Sequence, residues 1–127
     1  MIGTLWIVAT PIGNLGDISP RAQETLKGVS LICCEDTRRT GRLLQHLGIS
    51  AQGLAVCNDH TEHRLTQRVV DELCSGHDVA VVSDAGTPGI SDPGERLVRS
   101  AIDAGALVSA IPGACAAISA LITSGLP

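Results

Sequence analysis

The sequence predicts an α/β domain with a five-stranded, mostly parallel sheet flanked by helices. Three observations carry this. Short runs of Val, Ile and Leu alternate along the chain with segments of helical periodicity. There is no Phe, no Tyr and a single Trp6, so the core must be built from Val, Ile, Leu and Ala, which suits strands buried on both faces. With 127 residues and 44% hydrophobic content, the chain can form one domain with a packed core.

Each element has a local reason. Leu5 to Ala9 is an apolar run and reads as the first strand. Thr10 to Asp17 reads as a loop, and Ser19-Pro20 as an N-cap followed by proline at the first helical position. That helix runs from Pro20 to Lys27 and stops at Gly28. Ser30 to Cys34 is the second strand. Thr37 caps a helix that carries Leu43, Leu44 and Leu47 and ends at Gly48. Gly53 to Cys57 is a short third strand. Thr61 opens a helix with Leu65, Val69 and Leu73 at fourfold spacing, stopping at Gly76. Asp78 to Val82 is the fourth strand. Asp92-Pro93-Gly94-Glu95 has the form of a capping box, and its helix runs to Asp103 and Gly105. Leu107 to Ile111 is the fifth strand, and a final helix covers Ala114 to Ser124.

Composition excludes several classes. The net charge of −4 argues against an extensive nucleic-acid footprint, although local patches matter more than totals. Five cysteines (Cys33, Cys34, Cys57, Cys74, Cys115) occur without a C-x-x-C motif, so reduced core thiols in a cytoplasmic protein are expected and a metal site is not. Adjacent Cys33 and Cys34 on a strand point to opposite faces. No basic region precedes the first apolar run, so no signal peptide is expected. No apolar stretch reaches the roughly 18 residues of a membrane span.

Ligands of parallel α/β sheets bind at the carboxyl ends of the strands. Three glycine- and proline-rich loops fall there: Thr10–Asp17, Ser83–Gly94 and Pro112–Ala116. Glu35-Asp36-Thr37-Arg38 follows the second strand and Asp59-His60 the third, which suggests one shared cleft. Plainer readings exist for each. Glycines serve turns, Glu35-Asp36 suits a helix start, His60 suits a surface and Cys115 a core. Arg38, Arg39 and Arg42 suit a solvated helix face. The loop SDAGTPGISDPG is harder to reduce to a turn, because its twelve residues hold three glycines, two prolines and two aspartates. It matches neither a Walker loop nor a G-x-G-x-x-G turn. Its backbone groups and carboxylates suit a neutral or cationic ligand with an adenine-like edge.

These residues resemble a known family. Ser83 to Gly94 is similar to the signature of the ribosomal RNA small subunit methyltransferase I family, within the tetrapyrrole (corrin/porphyrin) methylases. Val8 to Asp17, Glu35-Asp36-Thr37-Arg38 and Pro112 to Ala117 agree in order and spacing. The resemblance implies the N-terminal domain of the tetrapyrrole methylase fold, the family's C-terminal domain being absent from residues 1–127. It implies S-adenosylmethionine as cofactor, bound between two domains. It implies 2′-O-methylation of a cytidine in small-subunit rRNA, with the rRNA or the 30S subunit as partner, and a homodimer. The cofactor set it implies is Pro11, Gly13, Asp84, Gly86, Thr87, Pro88, Ile90, Pro112, Gly113, Ala114, Cys115 and Ala116. Gly86-Thr87-Pro88 stands where the wider superfamily has Gly-Asp-Pro. Pro112 to Ala116 stands for its Pro-Gly-x-Ser-x segment, so Thr87 and Cys115 depart from the pattern. His60-Thr61-Glu62 stands for a common His-Asn-Glu.

A 2′-hydroxyl is a poor nucleophile and gains from a general base. Glu35, Asp36 and His60 are the candidates. Asn14, Arg38, Arg39 and Arg42 are the candidate substrate contacts. Two alternatives remain. One is a small-molecule methylase of the tetrapyrrole type, against which the Ser-Asp-Ala-Gly signature and Glu35–Arg38 argue. The other is an inactive isolated scaffold or dimerisation domain.

Overall fold

The computed structural model describes residues 1–58, 60–88 and 94–127. Its strands are β1 (Thr4–Val8), β2 (Leu31–Cys34), β3 (Leu54–Val56), β4 (Val79–Val81) and β5 (Leu107–Ile111). Its helices are α1 (Pro20–Gly28), α2 (Thr37–His46), α3 (Glu62–Cys74), α4 (Gly94–Asp103) and α5 (Ala116–Thr123). One five-stranded sheet forms in the order β3-β2-β4-β1-β5, and every strand pair is parallel.

Alternation along the strands divides the core in two. Leu5, Leu31, Cys33, Val79 and Val81 face α3 and α4, where Leu65, Val69, Leu73, Leu97 and Ala101 meet them. Val8, Ile32, Cys34, Ala80 and Val82 face α1 and α2, packing with Ala22, Leu26 and Leu44. Cys33 and Cys34 thus lie on opposite faces, as expected. Leu5, Val79 and Leu73 are fully buried. Each such side chain contributes about 1.5–3 kcal/mol by leaving water.

The connection after β1 runs by α1 toward β2. The connection after β4 runs by α4, on the other face, past β1 to β5. Neighbouring strands whose connections leave on opposite faces of the sheet form a crevice at their carboxyl ends. β1 and β4 make such a pair.

Several boundaries differ from the sequence reading. Three strands are shorter, with Ser30, Gly53 and Asp78 preceding β2, β3 and β4 and Cys57 and Val82 following β3 and β4, whereas β1 is shifted by one residue to Thr4–Val8 and β5 has the expected bounds. Leu15–Asp17 forms a single 3-10 turn inside the loop after β1. Ser19 caps α1 as predicted, its Oγ accepting from the Ala22 N–H at 3.0 Å. The α2 cap is Asp36 rather than Thr37. Asp36 has extended backbone (φ −131°), and its Oδ1 accepts from the Arg38 N–H at 2.9 Å. Two cap-forming residues stand side by side there, and the one that leaves strand geometry last takes the role. The Asp92–Glu95 capping box falls partly outside the described residues.

Not all five thiols are core residues. Cys33, Cys34 and Cys57 are buried, but Cys74 is exposed at the end of α3 and Cys115 is half-buried. α5 buries none of its residues, and Ile118, Leu121 and Ile122 stand exposed on it. No described helix is long and apolar enough to cross a membrane.

Candidate functional site

The loops after β1, β4 and β5 are knitted together at the carboxyl edge. Thr10 and Gly86 exchange two backbone hydrogen bonds, N–H to carbonyl at 2.9 Å each way. Gly86 makes this possible with φ +82°, a left-handed conformation that side chains resist. A Cβ there would also stand 3.3 Å from Ile12 Cγ2. Next to it, Thr87 Oγ1 donates to the Ala114 carbonyl at 3.0 Å, which ties the β4 loop to the β5 loop. Gly113 closes the third side. A Cβ on it would meet Ala9 Cβ at 2.8 Å, closer than real side chains approach. Ser83 Oγ turns back on the Ala85 carbonyl at 2.9 Å and stiffens the bend.

Of the predicted cofactor residues, Gly86, Thr87, Gly113 and Ala114 are brought together by these contacts. Gly86, Thr87 and Gly113 are the structural contacts between loops. Pro11, Ala114 and Cys115 are half-buried, Pro88 is buried, and Gly13, Pro112 and Ala116 are exposed. Ile90 lies outside the described residues. Thr10 was not among the predicted residues. It is 1% exposed, and its hydroxyl points to the Ser83 and Gly86 carbonyls at 3.4 and 3.5 Å. A polar residue closing an apolar strand, immediately before Pro11, was the available signal.

Acidic groups gather at the end of β2 beside the β4 loop. Asp84 Oδ1 is buried and has no hydrogen-bond partner among the described residues. Its Oδ2 lies 4.0 Å from Arg39 Nε. Glu35 accepts a hydrogen bond from the Asp84 backbone N–H, yet its carboxyl is held above the usual range, first by desolvation and then by the charge of Asp84. The residue as a whole is exposed, so the desolvation is local to the carboxyl. Burial pushes the Cys34 thiol up, and the charges of Asp84, Asp36 and Glu35 add to this.

The three candidate bases separate. Asp36 is held below the usual carboxylate range, chiefly by the Arg38 N–H that it caps, and its Oδ1 lies 3.7 Å from Arg38 Nε. His60 is exposed beyond β3, its N–H donated to Asn58 Oδ1 at 2.8 Å. Two strands separate β3 from β1. Glu35 alone of the three touches the β4 loop. Arg38, Arg39 and Arg42 are exposed on the first turns of α2. Asn14 is exposed, with Oδ1 accepting from the Gly16 N–H at 2.9 Å.

The cradle fits a methyl donor of the S-adenosylmethionine type. It offers a loop path narrowed by Gly86 and Gly113, and a buried carboxylate oxygen left over for a cationic group. The backbone of Thr87 and Gly113 and the N–H of Ala114 could hold the ligand, both backbone groups of Gly86 being engaged with Thr10, and Asp84 could face its positive charge.

Comparison with known proteins identifies a family and a fold. The family described as Tetrapyrrole (Corrin/Porphyrin) Methylases matches residues 4–127. Among curated proteins, the chain is 58% identical over 125 residues to the ribosomal RNA small subunit methyltransferase I of Xylella fastidiosa, covering 98% of this chain and 45% of that protein. The protein of the same name from Synechocystis sp. is 55% identical, with 98% and 44% covered. The chain thus spans less than half the length of these relatives. Among solved structures, a uroporphyrin-III-C-methyltransferase from Thermus thermophilus superposes with a TM-score of 0.72 at 23% identity, covering 100% of this chain and 55% of that one. That likeness concerns the fold.

Proposed function

The chain belongs to the tetrapyrrole (corrin/porphyrin) methylase family, and on that premise we propose that residues 1–127 form the N-terminal α/β domain of a cytoplasmic, S-adenosylmethionine-dependent enzyme that methylates the ribose 2′-hydroxyl of a cytidine in small-subunit rRNA. The observation that carries this reading is the closure of three loops over the β1/β4 crevice, beside the unpartnered Asp84 oxygen. The sequence likeness to proteins named for rRNA methylation selects the acceptor class. A tetrapyrrole acceptor is favoured only by the description of the wider family and by a fold likeness at 23% identity.

S-adenosylmethionine supplies a methyl group already activated on a sulfonium. The residues have to align the acceptor oxygen and take its proton. Glu35 is the base: partial desolvation and then the charge of Asp84 raise its carboxyl at the edge of the cradle, against the opposing pull of the Asp84 N–H. Asp36 holds the start of α2 and orients Arg38, which with Arg39, Arg42 and Asn14 receives the substrate backbone. The exposed apolar side chains of α5 support burial against a second copy in a homodimer.

The test uses undermethylated 30S subunits and methyl-labelled S-adenosylmethionine, with this chain alone and with the second half of the Xylella fastidiosa relative added. The expected product is labelled rRNA whose modified linkage resists alkaline hydrolysis, as a 2′-O-methyl ribose must. Label on a base, or on a tetrapyrrole but not on rRNA, would overturn the reading. Labelling only with the second half added would mean that this domain alone is a scaffold.

A further inference from the structure

Away from the loop cradle, a cavity of about 410 Å³ opens along the free edge of β3. Its floor is apolar, formed by Ala55, Val56 and Leu65, and its rim carries Thr61, Arg64 and Arg68. The volume is within the range of small-molecule sites, roughly 300–1,000 Å³. Thr61 is fixed in place. Its hydroxyl donates to the Val56 carbonyl at 2.8 Å and accepts from the Asn58 N–H at 3.0 Å.

The two arginines are the informative feature. They stand one helical turn apart on α3, where like charges repel. α3 carries three carboxylates, and each is engaged elsewhere. Glu62 Oε2 lies 3.8 Å from Arg96. Asp71 Oδ1 accepts from Gln67 at 2.9 Å. Glu72 Oε2 accepts from Ser30 at 2.8 Å and pairs with His77 at 2.9 Å. Among the described residues, no carboxylate comes within ion-pair distance of Arg64 or Arg68. An acidic chain of net charge −4 thus leaves two adjacent guanidiniums without an ion pair among the described residues over an apolar hollow, Arg68 acting on Glu72 only at longer range.

The place matters too. Val56 pairs with Cys34, and Glu35 follows Cys34. The hollow therefore opens one strand away from the base, on the side away from the cofactor loops.

We propose that this groove binds a backbone phosphate of an RNA strand, Arg64 and Arg68 gripping the phosphodiester while the flanking nucleoside lies on Ala55, Val56 and Leu65. This deepens the rRNA reading and rests on it. Guanidinium forks match phosphate oxygens in pairs of hydrogen bonds. A strand presenting its ribose at Glu35 would cross the carboxyl end of β3 on its way out. The contact positions the strand and carries no sequence information.

The test measures binding of a labelled small-subunit rRNA fragment across a range of salt. It compares this chain, an Arg64→Gln/Arg68→Gln variant and an Arg21→Gln/Arg99→Gln control with the same charge change outside the groove. The groove variant should bind more weakly, with the salt slope reduced by about one per lost phosphate contact. Both variants should keep the parent's S-adenosylmethionine affinity. Equal losses in variant and control would overturn the proposal. A parallel titration with cytidine 5′-monophosphate follows the arginine Nε–Hε signals. Arg64 and Arg68 signals that move together support the groove even if the rRNA fragment fails to bind, an outcome that would sink the substrate reading alone. Signals that stay still overturn the groove.

Discussion

Glu35→Gln lowers the rate of methyl transfer by at least about tenfold, within the range expected for loss of a general base, and leaves S-adenosylmethionine affinity within about twofold, since no reacting carboxylate is needed for binding. The side chain keeps its shape and can still accept from the Asp84 N–H. Only its capacity to take a proton is lost. Steady-state assays with 30S subunits at saturating cofactor read the first effect and calorimetry the second. The same assays across pH test the environment. Glu35 must be deprotonated to act, and its carboxyl is raised by partial desolvation and then by Asp84. Activity therefore falls on the acid side at a pH above the ordinary glutamate range. Asp84→Asn removes the neighbouring negative charge, so the acid limb of its profile moves to lower pH. A limb that stays in place would mean that another group takes the proton. Asp36→Ala should instead reduce helix stability through the lost N-cap while leaving that limb where it is, because Asp36 is occupied with the Arg38 N–H.

Gly113→Val has the second large effect. Its Cβ would overlap Ala9 Cβ, 2.8 Å away, and force the β5 loop off the end of β1. The Thr87–Ala114 hydrogen bond is on the same loop and loses its alignment. S-adenosylmethionine affinity should fall by more than about tenfold, equivalent to about 1.4 kcal/mol. Because Gly113 is exposed and lies beyond the core of the sheet, the urea midpoint should move little by comparison. Unchanged affinity with a shifted loop would show that the β5 segment contributes nothing to the cofactor site.

The strand cores were legible because buried parallel strands need apolar residues on both faces, and a run such as Leu5-Trp6-Ile7-Val8 meets that need without a polar break. The lateral order of the strands was not. β4 enters between β2 and β1 because of how helices pack on each face, and no local residue encodes that. Likewise, Asp36 and Thr37 are both good caps, and only the backbone path decides between them. Asp84 and Glu35 were each candidates from the sequence, but their contact joins separate loops and depends on β2 lying beside β4. Nothing in the sequence singles out Arg64 and Arg68. Their significance lies in the partners that Glu62, Asp71 and Glu72 already have. The exposure of α5 was invisible for the opposite reason: its apolar sequence predicts burial, which the described residues do not supply.

The most direct test of the central claim is a titration of S-adenosylmethionine into the isotopically labelled chain, followed by amide chemical shifts. The account predicts saturable shifts concentrated at Thr10, Gly86, Thr87, Gly113 and Ala114, with smaller ones at Glu35 and Asp84. Saturable shifts confined to other surfaces, or none at any of these residues at millimolar cofactor, would contradict it.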